Sequence, residues 1–225
     1  MWSAKEITTV GTINVTTLYS PGKLKCVIEE INRYKWDVLG ISETHWTGEG
    51  ELMSEGIRIL YSGRPDNIHR EGVALMLGKK AQKAYIEHKA INSRLISVSL
   101  KGQHKNVKII HVYAPDSSHS DEEVEEFYSQ LEEETHTVRT NEIVIVIGDF
   151  NSKIGSDPTG YEDVIGKFGL GTQNERGERM LEFCQTNQLA ITNTYFYHRH
   201  QRRHTWNHPN GIHKNCIDYI LIDKR

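Results

Sequence analysis

The residues of this chain that could do chemistry stand at the ends of its apolar runs. The run 36–42 (WDVLGIS) passes into Ser42-Glu43-Thr44, the run 107–113 ends in Tyr113-Ala114-Pro115, and the run 142–148 leads into Gly148-Asp149-Phe150-Asn151. Asn14 lies inside the run 7–15, and Asp218 sits between Ile217 and Tyr219 in IDYILI. An amide or carboxylate embedded in an apolar strand is costly to bury unless something binds it. Several of them at strand ends point to one polar cleft. Glu43, Asp149, Asp218 and Asn14 offer only oxygen ligands, which suit Mg²⁺ or Mn²⁺, hard ions that keep waters and bind through one or two carboxylates plus a substrate phosphate. A cation so held polarises a phosphoryl oxygen and steadies the leaving oxyanion of a phosphodiester. Asn151 and Tyr113 add an amide and a hydroxyl for the remaining phosphate oxygens. Taken singly, each residue also has a plain structural reading. A strand-end acid can cap a helix, GDFN suits a type I turn, Tyr113 suits a core position, and Asn14 could pair with backbone. Asp218 resists that reading most, because the rest of its run is core strand.

The elements that must position these residues are strands, for the most part. Apolar, β-branched runs recur at 7–15, 36–42, 57–61, 72–77, 94–100, 107–113, 142–148, 189–192 and 217–222. Several are nearly all apolar, as strands covered on both faces are. Three amphipathic helices are predicted between them. Pro21 opens the first, with Leu24, Val27, Ile28 and Ile31 on one face. Ser120 and Glu123 form a capping box for the second, whose stripe is Val124, Phe127, Tyr128 and Leu131. The third covers roughly 175–188 and offers Met180, Leu181 and Cys184 to the core. Many strands and few helices predict a layered α/β or α+β domain, with sheets packed together and helices outside.

Composition bounds the partners. The 225 residues suit one domain over 1–225 with a substantial core. No run approaches the length of a membrane span, so no membrane partner is expected. Three cysteines, far apart and without a CxxC, predict neither a disulfide framework nor a zinc site, and a reducing interior is the default. The net charge of −3 hides an asymmetry. Eight of the 30 acidic residues lie in 121–134 (DEEVEEFYSQLEEE), leaving 22 against 27 basic ones elsewhere. A polyanionic partner is therefore compatible with the chain, provided that helix faces away from it.

Asn14, Ser42-Glu43-Thr44, Val112-Tyr113-Ala114-Pro115, Gly148-Asp149-Phe150-Asn151, His204-Thr205-Trp206 and Ile217-Asp218-Tyr219-Ile220-Leu221, in that order over nearly the whole chain, resemble the endonuclease/exonuclease/phosphatase superfamily. Within it, WDVLGISETHW, GDFNSKIG and NERGERMLEFCQTNQLAITNT resemble the apurinic/apyrimidinic-type endonuclease domain of non-LTR (LINE-type, RTE/BovB-like) retrotransposons. The resemblance implies a four-layered α/β sandwich, two packed central sheets flanked by helices. It implies a DNA endonuclease that hydrolyses a phosphodiester and leaves a nick with a 3′-hydroxyl. Glu43 would bind Mg²⁺ with Asn14 nearby, and Asp149 would orient or deprotonate the attacking water or protonate the leaving group. Asn151 and Tyr113 would hold the phosphate, Thr205 would contact the DNA backbone, and Asp218 would position a catalytic histidine. A monomer is expected, with a reverse transcriptase domain in the parent protein and a nuclear, intracellular place that follows from the substrate.

The family pattern continues past the IDYIL strand to a Ser-Asp-His motif and a closing strand. No Asp-His dipeptide occurs in these 225 residues, and His204, His208 and His213 do not stand in the matching position. The expectation is an incomplete piece that lacks its C-terminal strand, or a degenerate copy. The competing function is thus a domesticated domain that binds DNA or protein without cutting. A third option, cleavage of a small-molecule or lipid phosphodiester, is disfavoured by the retrotransposon-like wording and by the basic run. That run, 198–204 (HRHQRRH), is the densest basic cluster, and its Arg199, Arg202 and Arg203 could neutralise DNA phosphates. Segment 207–215 (NHPNGIHKN) reads as a hairpin turning at Asn210-Gly211. In the resembling endonucleases a loop at this place probes the minor groove, which would engage His213 and Lys214 with double-stranded DNA.

Overall fold

The computed structural model describes residues 8–139, 142–207 and 214–224. The fold is mixed α/β, with two large sheets, one of five strands and one of six, flanked by helices. The chain divides into two compact units: Met1–Tyr113 with Thr140–Ile143, and Ala114–Arg139 with Val144–Arg225.

The first unit holds β1 (Val10–Asn14), α1 (Lys23–Ile31), β2 (Val38–Ser42), β3 (Glu49–Ser54), β4 (Ile57–Ser62), β5 (Val73–Leu77), α2 (Lys79–Ala84), β6 (Tyr85–Asn92), β7 (Leu95–Leu100) and β8 (Asn106–Tyr113). The five-stranded sheet runs β1-β2-β5-β4-β3, parallel between β1 and β2 and antiparallel elsewhere. Strands β6, β7 and β8 form an antiparallel meander that packs against that sheet. β2 and β5 are buried at every residue because both of their faces are covered. Leu39, Ile41, Ala74 and Met76 meet Ile28 and Ile31 of α1 in one cluster. The opposite face of β2 presents Gly40 to the meander. A Cβ on Gly40 would stand 2.2 Å from Nδ1 of His111, so only glycine admits β8 this closely. The fully buried His111 ring reaches Oγ of Ser42 at 3.3 Å.

Helix α1 buries the stripe that its spacing predicts, but Pro21 does not open it. Gly22 is the N-cap, in a left-handed conformation at φ 83°, which places the proline outside the helix. Strands β3 and β6 were not expected from hydrophobic pattern. β3 alternates exposed and half-buried residues, and β6 mixes exposed with half-buried ones and has no buried position, so neither forms an apolar run.

The second unit holds α3 (Asp121–His136), β9 (Glu142–Asp149) from Val144 onward, β10 (Ile154–Gly155), β11 (Leu170–Gln173), α4 (Glu175–Thr186), β12 (Leu189–Ile191), β13 (Trp206–Asn207), β14 (Lys214–Asn215) and β15 (Asp218–Asp223). β15 pairs antiparallel with β9 on one side and β12 on the other. Ser120 and Glu123 make the reciprocal capping box that the sequence predicts, and Val124, Phe127, Tyr128 and Leu131 are buried. α4 buries Met180, Leu181 and Cys184, also as predicted. It joins α3 through Arg176–Asp121 at 2.7 Å, Arg179–Glu125 at 2.6 Å and a Tyr128–Phe183 ring contact. No helix among the described residues is long and apolar enough to cross a membrane.

The start of α4 ties down the loop that follows Asp149. Oδ1 of the N-cap Asn174 accepts from the amides of Gly177 and Lys153, both at 2.9 Å, and the Asn174 amide returns a bond to the Lys153 carbonyl at 3.0 Å. Gly177 lies so close to that carbonyl that a Cβ would meet it at 1.8 Å. Gly177→Ala must therefore push helix and loop apart. It should cost about 1–3 kcal/mol or more, read as a lower urea midpoint with an unchanged slope; at Gly22→Ala no atom stands in the way, and a cost of about 1–2 kcal/mol should come from the left-handed backbone alone.

Candidate active site

In the first unit the parallel pair β1–β2 brings Asn14 opposite Ser42, one residue short of Glu43. Asn14 Nδ2 donates to Glu43 Oε1 at 2.7 Å, and the Tyr113 hydroxyl donates to the same oxygen at 3.1 Å. Both bonds polarise one oxygen of a half-buried carboxylate and leave Oε2 without a partner among the described residues. The backbone is bent to achieve this. Glu43 sits at φ 59° and Thr16 at φ 64°, the latter held by a bond from its amide to Asn14 Oδ1 at 2.9 Å. A β-branched residue in that region is a genuine outlier, and such strain persists only where surrounding contacts enforce it. Ser42 and Thr44 on either side are fully buried, and the amides of Thr44 and His45 bond to the carbonyls of Gly72 and Glu71.

Tyr113 has its own support. Arg94 Nη1 donates to the Tyr113 carbonyl at 3.3 Å, and the guanidinium stands 5.3 Å from the tyrosine ring centre. Arg94 is in turn paired with Glu71 at 3.0 Å. Sequence reasoning did not single out Arg94 or Glu71, because neither lies in a motif; an arginine opening the apolar run 94–100 was the available signal. As placed, the Tyr113 hydroxyl proton serves Glu43, so holding a phosphate oxygen requires it to turn away from the carboxylate.

In the second unit the β9–β15 register sets Asp149 directly opposite Asp218. Asp149 is 3% exposed, and its Oδ1 accepts from the Asn151 amide at 2.9 Å. Asn151, at φ 48°, spends one amide proton on the Ala114 carbonyl at 2.8 Å, which leaves the other to donate. Asp218 Oδ1 is buried with no partner among the described residues. Burial first, and then the charge of Asp149, raise the Asp218 carboxyl above the ordinary carboxylate range, opposed in part by a hydrogen bond from the Thr205 side chain. Thr205 Oγ1 also accepts from the amides of Ile217 and Asp218 at 3.1 and 3.2 Å, so this hydroxyl, expected on DNA backbone, latches the start of β15. Asn193, which sequence reasoning missed, braces the same place by donating to the Asp218 carbonyl and accepting from the Ile220 amide.

Of the expected nucleic-acid contacts, Arg199 and Arg202 are exposed, around a short turn closed by the Arg202 amide to the Arg199 carbonyl at 2.8 Å. Arg203 is half-buried and donates through Nη1 to the carbonyls of Phe168 and Gly169 at 3.3 and 3.5 Å. Lys214 is exposed on β14, opposite Asn207. His213 and the Asn210-Gly211 turn lie outside the described residues.

Among the described residues no three His, Cys, Asp or Glu side chains converge on one point. Glu43, with a free carboxylate oxygen beside an amide and a phenol, nevertheless suits a hard cation that takes one carboxylate and keeps its waters. The raised Asp218 carboxyl carries a stability consequence. The folded state prefers the protonated form, so that stability is present below the ordinary carboxylate pKa and is lost as pH rises through the raised one. In metal-free buffer Asp218→Asn should raise the melting temperature at about pH 8 by about 2–6 °C, leave it nearly unchanged at about pH 3.5, and so flatten the wild-type decline between them.

The arrangement can be set beside known proteins. Residues 10–225 match the Endonuclease/Exonuclease/phosphatase family. Craniofacial development protein 2 of Bos taurus is 41% identical over 221 residues, covering 98% of this chain and 37% of that protein. The protein of the same name from Tragulus javanicus is 40% identical over 98% of this chain and 38% of its own length. The chain thus spans little more than a third of these curated relatives. Among solved structures, the endonuclease domain of TRAS1, a telomere-specific non-LTR retrotransposon, superposes with a TM-score of 0.65 at 13% identity, over 97% of this chain and 86% of that one. AP endonuclease LMAP from Leishmania major gives 0.68 at 14% identity, over 95% and 78%. These likenesses are of fold, and the family match extends from Val10 through every motif on which the two polar clusters are built. This chain belongs to the endonuclease/exonuclease/phosphatase family.

Proposed function

We propose that the chain is a divalent-metal-dependent DNA endonuclease of the retrotransposon type, hydrolysing a phosphodiester to leave a nick with a 3′-hydroxyl. The observation that carries the reading is the Glu43 carboxylate. Asn14 and Tyr113 fix one oxygen, and the other is left for a cation. A bound Mg²⁺ or Mn²⁺ supplies charge neutralisation for a phosphoryl oxygen and for the leaving oxyanion. The chain's own groups do the rest. Asp149, held by the Asn151 amide, orients the attacking water and takes its proton, and the second amide proton of Asn151 donates to a phosphate oxygen. Asp218, with an unpartnered buried oxygen, positions a proton-carrying donor such as a histidine. Arg199, Arg202 and Lys214 neutralise backbone phosphates of double-stranded DNA. A double-stranded DNA substrate argues for a nuclear location, and the retrotransposon reading implies a reverse transcriptase domain in the parent protein that would extend the 3′-hydroxyl.

A second reading, a domain that keeps the fold and binds DNA or protein without cutting, is favoured by the curated relatives, whose name specifies a role in craniofacial development and no nuclease. Conversion of supercoiled plasmid to the nicked form separates the two. With Mg²⁺ the chain should nick, and chelation should stop it. Asp149→Ala and Glu43→Gln should each lower the rate by about 10²–10⁴-fold while the chain still melts in one cooperative transition. Plasmid that remains supercoiled with Mg²⁺ and with Mn²⁺, while still shifted in a gel by the chain, would leave the binding reading in its place.

A further inference from the structure

The second unit contains a cavity of about 560 Å³ whose lining shares Asn193 and Thr205 with the bracing of Asp218 but includes neither carboxylate of that cluster. Its apolar wall includes Ile154, Phe168, Leu170 and Phe196, and its cationic side is made by Arg202 and Arg203, with His198 beside them. No aspartate or glutamate lines it, in a chain that carries 30 of them. The occupant must therefore combine a flat apolar body with negative charge.

The surface beside the cavity has the same character. Tyr195, Phe196 and Tyr197 are consecutive and exposed by 41, 66 and 71%. Two of the rings are committed: Tyr195 donates its hydroxyl to the Asp163 carbonyl at 3.1 Å, and Tyr197 sits edge-on to Phe168 at 5.7 Å. Phe196 has no ring partner among the described residues, although it lines the cavity. Leaving a phenylalanine two-thirds exposed forfeits the burial that its type ordinarily obtains. The Arg202 side chain likewise makes no ion pair among the described residues. Arg203 is the fixed member, with Nη1 on two carbonyls and Nε buried without an acceptor.

We propose that this cavity binds an unpaired nucleotide of a single DNA strand, the base stacking on Phe196 and the phosphate meeting Arg202. The proposal rests on the nucleic-acid reading above and adds to it a preference for unpaired bases, such as a strand freed at a nick. The chemistry supports this occupant. Every base has a π-face, so an open aromatic ring beside arginines takes any unstacked base, whereas a duplex keeps its bases stacked on one another.

The test is the affinity of the whole chain for a short labelled single strand and for the matching duplex, with a fluorescent adenine analogue in the single strand to report stacking. Phe196→Ala should weaken single-strand binding roughly tenfold, abolish the change in analogue fluorescence, and leave duplex affinity and plasmid nicking unchanged. Phe196→Trp should restore both single-strand readouts. Arg202→Ala should reduce the salt slope of single-strand binding by about 0.7. Equal losses for single strand and duplex in Phe196→Ala, or no loss in either, would overturn the proposal while nicking shows the endonuclease reading intact. Competition by a free mononucleotide as strong as that by the strand would overturn the assignment to a strand. Absence of single-strand binding by the unaltered chain would overturn it as well, and absence of nicking would count against the endonuclease reading alone.

Discussion

Two carboxylates face each other across adjacent strands at Asp149 and Asp218, and much of the second unit is arranged around that repulsion. Like charges opposite one another on a sheet destabilise it, and burial makes each charge dearer still. The neighbouring structure answers locally. The Asn151 amide takes a lone pair of Asp149, Thr205 latches the amides of Ile217 and Asp218, and Asn193 clasps the Asp218 carbonyl and the Ile220 amide along one edge of β15. The N-cap of α4 then fixes Lys153, four residues past Asp149, so the loop cannot relax the pair apart. A fold gains no stability from two like charges set opposite each other and buried.

The first unit meets a different constraint. Glu43 must leave a fully buried strand and turn its carboxylate toward Asn14 and Tyr113, which lie 29 and 70 residues away in sequence. Left-handed backbone at Glu43 makes the turn, with α1 packed on one face of β2 and β8 on the other. Gly40 matters here although it touches none of these groups. By admitting the His111 ring against β2, it sets the spacing at which β8 delivers Tyr113 to Glu43. The ion pair of Arg94 with Glu71 braces the tyrosine from behind.

Charge is partitioned by helix contacts. The acidic face of α3 is engaged by Arg176 and Arg179 of α4, so part of the basic complement is spent inside the unit on acids that would repel a polyanion. The exposed arginines of 199–202 have no such partners among the described residues, and they share their segment with three exposed aromatic rings. Cationic and aromatic surface in one short stretch is suited to nucleic acid and ill suited to an aqueous surface without a partner.

Local chemistry made much of this protein legible from its residues. Largely apolar, β-branched runs announced β2, β5, β7, β8, β9 and β15, and in β2 and β5 the run is buried at every residue because both faces are covered. Ser120 with Glu123 announced α3, since a capping box is complete within four residues. The acids and amides at strand ends stood out as candidates for one polar cleft, and the hydrogen bonds and register describe them as two groups, Glu43 with Asn14 and Tyr113 in the first unit and Asp149 with Asp218 in the second. What stayed hidden depended on partners far along the chain. β3 and β6 lack a pattern of their own and exist by pairing with β4 and β7. The latch role of Thr205, the brace of Arg94, the left-handed Glu43 and the cavity beside Phe196 arise only when distant segments meet. The amino-acid sequence by itself determined which groups are too polar for the strands that carry them. Tertiary structure decided which of those groups share a hydrogen bond, because that depends on the spacing of packed sheets and not on the period of any one of them.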